Sequence, residues 1–176
     1  MVTVDAVGSE DIRWLTPEEM RAWRALLGAQ HRLGRVLDLE LQAAHGTTLA
    51  DHEVLILLSE QPDGALRMAD LADMLTISRS GLTRRVDRMA TAGLVIREKC
   101  ASDGRGVYAR LTEGGWQALA VATPVHVAGV RRHFIEALDA DELAVLASAL
   151  EKVAADIPGI GPSQVHPIAV VPAAGL

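Results

Sequence analysis

Residues 71–112 read LADMLTISRSGLTRRVDRMATAGLVIREKCASDGRGVYARLT. Leu71 and Leu75, then Leu82, Val86 and Met89, are apolar at steps of three and four, the spacing of one helix face. Thr76-Ile77-Ser78 separates the two runs, and Ser78 suits the N-cap of the second, where its hydroxyl accepts an orphan N–H of the first turn. At 100° per residue, a helix that buries Leu82, Val86 and Met89 turns Ser80, Thr83, Arg84, Asp87 and Arg88 outward.

That outward face carries hydroxyls and guanidinium forks, the groups that meet phosphates and purine edges in a DNA major groove. Arg79 stands in the first turn, within reach of a backbone phosphate. Arg85 lies nearer the core boundary, where its stem covers apolar surface and its head stays in water. Gly93 is a helix-stopping C′ residue. Residues 94–99 and 106–111 are strand-like, and the tip between them, Ala101-Ser102-Asp103-Gly104-Arg105, is turn-rich. An Arg105 at such a tip can enter a minor groove, with Asp103 holding it in place. Two short helices followed by a β-hairpin describe a winged helix-turn-helix that grips duplex DNA.

The pattern SRSGLTRRVDRMATAGLVIREKCASDGRGVYARLTEGG, residues 78–115, resembles a MarR-type winged helix-turn-helix regulator. The likeness rests on the Ser-Arg-Ser helix start, the Thr-Arg-Arg-Val-Asp-Arg-Met run, the Ala-Gly-Leu-Val opening of the first strand, and the Asp-Gly-Arg wing leading to Leu-Thr-Glu-Gly. Each piece is weak alone; their order and spacing are specific. Helical segments on both sides extend the resemblance over about residues 16–156.

The whole chain has 176 residues, 49% of them apolar, enough for a core. No run approaches the roughly 20 apolar residues of a membrane span. The acidic N-terminus lacks a signal pattern, and one cysteine makes no internal disulfide. A cytoplasmic location is expected, with no membrane partner. Net charge is −6, which at first argues against nucleic acid. Its distribution reverses that. Residues 78–110 hold eight basic side chains against three acidic ones, a local +5 that leaves −11 on the rest. A positive face on an acidic body suits DNA.

Residues 1–15 form an irregular arm. Thr16-Pro17-Glu18-Glu19 is a capping box with proline at the first helical position, and the helix it opens is expected to reach about Ala44. Met20, Trp23, Leu27, His31, Gly34, Leu37 and Leu41 follow its apolar steps. So long a helix in so small a chain implies a second chain that shares it. Thr48–Asp51 is a second capping box, for a helix over 49–60. Ala65-Leu66 reads as a short strand beside the wing, and residues 67–75 as a helix without a good N-cap. After Thr112, a further N-cap, a helix begins that Pro124 is expected to kink or break, resuming through Val127, Val130, Phe134 and Leu138. Asp139–Glu142 caps a last helix to about Asp156. Residues 157–176 form a proline-rich tail.

The expected fold is therefore mostly α with a small β wing. A winged helix-turn-helix lobe (48–112) is flanked by dimerisation helices (16–47 and 113–156). The DNA-binding candidates are Ser78, Arg79, Ser80, Thr83, Arg84, Arg88, Asp103 and Arg105. The resemblance implies a homodimer on a pseudo-palindromic duplex, usually a repressor, released by a small phenolic or lipophilic effector. Such an effector would lie between the DNA-binding lobe and the dimer helices, with Trp14, Trp23, His31, His52, Trp116 and His126 as candidate lining. A plain core role for Trp23 and Trp116 is at least as strong a reading. Oxidant sensing at Cys100, beside Lys99, lacks a resolving cysteine and is the lesser reading of that residue. The six histidines show no metal-ligand spacing, so no metal and no cofactor are expected. No phosphate loop, nucleophile elbow or paired-cysteine motif points to an enzyme. The rival is a dimeric module that binds a small molecule or a protein without specific DNA recognition.

Overall fold

The computed structural model describes residues 12–99, 106–155 and 157. The chain divides into two compact units at Arg35 and Val36. Helix α1 (Pro17–His45) crosses that division. Its start is the expected box: Glu19 N–H donates to Thr16 Oγ1 at 3.2 Å, and Thr16 N–H donates to Glu19 Oε2 at 2.8 Å. Within the first unit the apolar steps Met20, Leu27 and Gly34 are half-buried and none is fully buried. Trp23 is 50% exposed, and Trp14, Leu15 and Leu26 are exposed too.

In the second unit, Leu37 and Leu41 on the last turns of α1 are buried. Gly46, at φ +68°, ends the helix. Asp38 reaches across the turn to accept from the Leu49 N–H at 2.8 Å. Thr48 caps α2 (Leu49–Ser59), accepting from the Asp51 N–H. Next come β1 (Ala65–Arg67), α3 (Met68–Met74) and α4 (Arg79–Thr91). The hairpin strands are β2 (Val95–Lys99) and β3 (Val107–Leu111). The sheet is antiparallel in the order β1-β3-β2, with Arg67 opposite Tyr108 and Arg97 opposite Ala109.

One core holds this unit together. Val54, Leu55 and Leu58 from α2 meet Leu71 from α3 and the Leu82, Val86 and Met89 stripe of α4. Val95, Ala109, Leu111 and Leu119 close it from the sheet and from α5 (Glu113–His133). Thr112 caps α5 and also donates to the Gly93 carbonyl at 2.6 Å. Gly115 permits the junction: a Cβ there would run into the Leu94 carbonyl and sit 2.9 Å from Leu111 Cδ2.

The expectation of a break at Pro124 is corrected. Helix α5 runs through it to His133. Proline removes one donor, yet the neighbouring turn stays tied, with the Thr123 hydroxyl donating to the Leu119 carbonyl at 2.8 Å. The interruption falls at Phe134, with φ −129° and ψ −59°, followed by a 3₁₀ turn at Ile135–Ala137 and an extended Leu138. Helix α6 (Ala140–Ala155) begins with the expected reciprocal cap between Asp139 and Glu142. None of its residues is buried, and Val145 and Val153 are 70% and 55% exposed. Among the described residues, no helix is long and apolar enough to cross a membrane.

Gly115→Ala tests the α5 junction. Forcing a Cβ against a backbone carbonyl is expected to lower stability by about 2 kcal/mol or more, measured by urea unfolding. A change below about 0.5 kcal/mol would show that the Leu94 turn moves freely.

Candidate nucleic-acid interface

The turn between α3 and α4 decides where the second helix points. Thr76, at φ +53°, is the one described non-glycine residue in the left-handed region, a strained choice for a β-branched side chain. Ile77 N–H then donates to the Ala72 carbonyl at 3.1 Å, folding the turn back on α3. Ser78 caps α4, its Oγ accepting from the Gly81 N–H at 3.1 Å. It also lies 3.3 Å from Ser80 Oγ, so its oxygen is already engaged within the helix start.

With Leu82, Val86 and Met89 buried, Arg79, Ser80, Arg84 and Arg88 are exposed. Arg79 and Arg84 have no ion pair or side-chain hydrogen bond among the described residues. Arg88 differs. Its Nη2 lies 3.3 Å from Asp51 Oδ1 at the start of α2. Arg85 is half-buried and donates to the Ala50 carbonyl at 3.2 Å, so its head is tied to the protein where the sequence alone places it in water. These two contacts moor α4 to the first turn of α2. On the other flank, Arg97 Nη1 of β2 donates to Asp87 Oδ1 at 2.7 Å, tying the wing to the helix. Thr83 is half-buried, and its hydroxyl bonds back to the Arg79 carbonyl at 2.9 Å. Asp103, Arg105 and Cys100 lie outside the described residues.

A cavity of about 370 Å³ opens between α3, α4 and the wing. Arg67, Arg79 and Arg97 line it with Met68, Thr83 and Val107. Sequence reasoning missed Arg67 and Arg97. Arg67 donates through Nε to the Tyr108 hydroxyl at 2.8 Å, its guanidinium 5.4 Å from that ring's centroid. Only the β1–β3 register brings the two together, and nothing in the linear order of residues gives that register. Three arginines line one opening and make it attractive to an anion, with Arg97 already paired to Asp87.

The other candidates scatter. Trp14, Trp23 and His31 are exposed in the first unit. In the second unit Trp116 is 39% exposed and lies against the Gly64 turn. His52 and His126 are buried and adjacent, ring centroids 4.9 Å apart. Among the described residues, no group of three or more His, Cys, Asp or Glu side chains is placed to hold a metal.

AbsC, a MarR family transcriptional regulator from Streptomyces coelicolor, is 43% identical over 82% of this chain and 97% of its own, with a TM-score of 0.77. The chain belongs to the MarR family. The MarR family model matches residues 45–106, from the end of α1 through the wing tip. A second MarR family regulator from Streptomyces coelicolor, Sco3205, was crystallised in complex with DNA. It is 37% identical over 80% of this chain and 92% of its own, TM-score 0.76. A mutant E. coli MarR in complex with operator DNA is 26% identical over 80% of this chain and 99% of its own, TM-score 0.70. The mostly helical fold with a small sheet is thus the one expected from the sequence, residues 71–112 supplying its helix-turn-helix and wing strands.

Ser78→Ala removes the α4 cap and is expected to lower stability by about 1 kcal/mol, read by thermal or urea unfolding, with the helical circular-dichroism signal retained. An unchanged midpoint would mean the cap bond carries no weight.

Proposed function

We propose that this MarR-family protein is a sequence-specific DNA-binding transcriptional regulator that acts as a homodimer. The observation that carries this is the outward face of α4. Arg79 and Arg84, free of partners among the described residues, and the Ser80 hydroxyl project from a capped helix in a chain whose relative Sco3205 was crystallised with DNA. Arg84 reads a base edge in the major groove, with Ser80 and Thr83 beside it. Arg79, with Arg67 and Arg97 across the cavity, takes backbone phosphate. Arg88 leaves Asp51 for a phosphate on binding, and Arg105, held by Asp103, enters the neighbouring minor groove.

The dimer reading is supported by apolar surface. Helices in proteins are held mostly by packing an apolar face, and α6 has no fully buried residue against the described residues. Trp14, Leu15 and Trp23 are open as well. A second copy that covers these surfaces sets two α4 helices roughly 34 Å apart, on successive major-groove faces of a pseudo-palindrome. Repression relieved by a small phenolic or lipophilic effector completes the proposal. The effector acts by binding more tightly to a dimer whose helices miss that spacing.

The test is a gel-shift titration on the duplex immediately upstream of the protein's own coding sequence, with random duplex as competitor. Binding that survives the competitor is expected, falling with a log-log salt slope of about −0.9 per phosphate contact. Arg84→Ala is expected to weaken the specific complex by about 1–3 kcal/mol and random duplex far less. Equal losses on both would move Arg84 to the phosphate contacts. No preference over random duplex there or in a random-library selection would favour a binding module instead.

A further inference from the structure

The junction between α2 and α5 contains two titratable side chains that the DNA-facing surface does not use. His52, on α2, is fully buried and His126, on α5, nearly so. Their centroids are 4.9 Å apart with the planes tilted by 44°. The Thr123 hydroxyl donates its single proton to the Leu119 carbonyl. In the 3.4 Å contact between Thr123 Oγ1 and His52 Nε2, the imidazole is therefore the donor. His52 is then the Nε2–H tautomer, with its lone pair on Nδ1. Neither His52 Nδ1 nor His126 Nδ1 has a hydrogen-bond partner among the described residues.

The charged groups nearest this junction are engaged elsewhere. On α2, Asp51 pairs with Arg88, and the charge acting on Glu53 is that of Arg85. On α1, Asp38 caps the Leu49 N–H, while Glu40 pairs with Arg132 and His133 of α5. Among the described residues, the one charge that acts on His52 is His126 itself, and no carboxylate acts on either ring.

We propose that the His52–His126 pair is an acid-labile joint: proton uptake at His52 Nδ1, or on the His126 ring, separates α2 from α5 and frees the DNA-binding helices from the helix that follows the wing. The step forms one N–H bond and places an imidazolium in a dry site, facing a second ring and no acceptor. Such a charge is costly in the closed joint and is relieved when the joint opens to water.

Burial, with the neighbouring ring adding to it, holds the His52 pKa down at about 4. Burial also lowers that of His126. Both folded values lie below the ordinary 6.5, so the open state binds the extra protons. The closed joint is at full strength above pH 6.5 and weakens as pH falls from there toward 4. Between pH 7.5 and 5.5, a His52 ring that titrates normally when exposed favours opening about tenfold, and His126 adds in the same direction.

Native-state hydrogen exchange on the full chain, corrected for intrinsic pH effects, tests this. Core amides of α2 and α5, including Leu58 and Leu119, are expected to lose about tenfold to a hundredfold protection between pH 7.5 and 5.5. Amides of α4 are expected to lose less. His52→Gln with His126→Phe keeps a donor toward Thr123 and a flat ring, and is expected to abolish most of the loss. Equal loss in wild type and double variant would overturn the proposal. If the double variant does not fold, NMR titration of the wild-type imidazoles decides. Resonances of His52 and His126 unmoved until below pH 5.5 support the joint. Titration of both near 6.5 with native packing intact overturns it.

Discussion

The burial of Leu82, Val86 and Met89 beneath α2 and the sheet orients everything else on this molecule. Three apolar side chains on one stripe of α4 can be removed from water in only one rotation of that helix. At about 25 cal/mol per Å² of apolar surface, rotating them outward would lose several kcal/mol. The arginines on the opposite side are therefore presented to solvent by hydrophobic burial on this side. The core positions the interface, and the interface adds little to the fold.

Polar contacts refine that placement. Arg85 and Arg88 reach the first turn of α2, and Asp87 holds Arg97 of the wing. Exposed ion pairs of this kind contribute about 1 kcal/mol or less each, too little to fix the fold. They are strong enough to choose among nearly equal orientations of a helix end and a hairpin.

Local signals carried much of this to the reader of the sequence. The caps at Thr16, Thr48, Ser78, Thr112 and Asp139 need only residues three positions apart, and each helix begins where its cap places it. The α4 wheel depends on one period and holds for the same reason. What resisted reading was non-local. The Arg67–Tyr108 contact depends on strand register, and the His52–His126 pair joins residues 74 positions apart on two helices. Pro124 misled because a missing donor was weighed without the surrounding turns of α5, which stay bonded. Thr76 gave no warning, since glycine is the usual signal of a left-handed turn.

The central claim is that α4 reads the major groove twice, once per protomer. Dimethyl sulfate protection on a selected duplex measures this directly, because guanine N7 lies in that groove. The account predicts two clusters of protected guanines centred about 10 base pairs apart. Full occupancy of the duplex with every guanine N7 still reactive, or a single protected cluster, would contradict it.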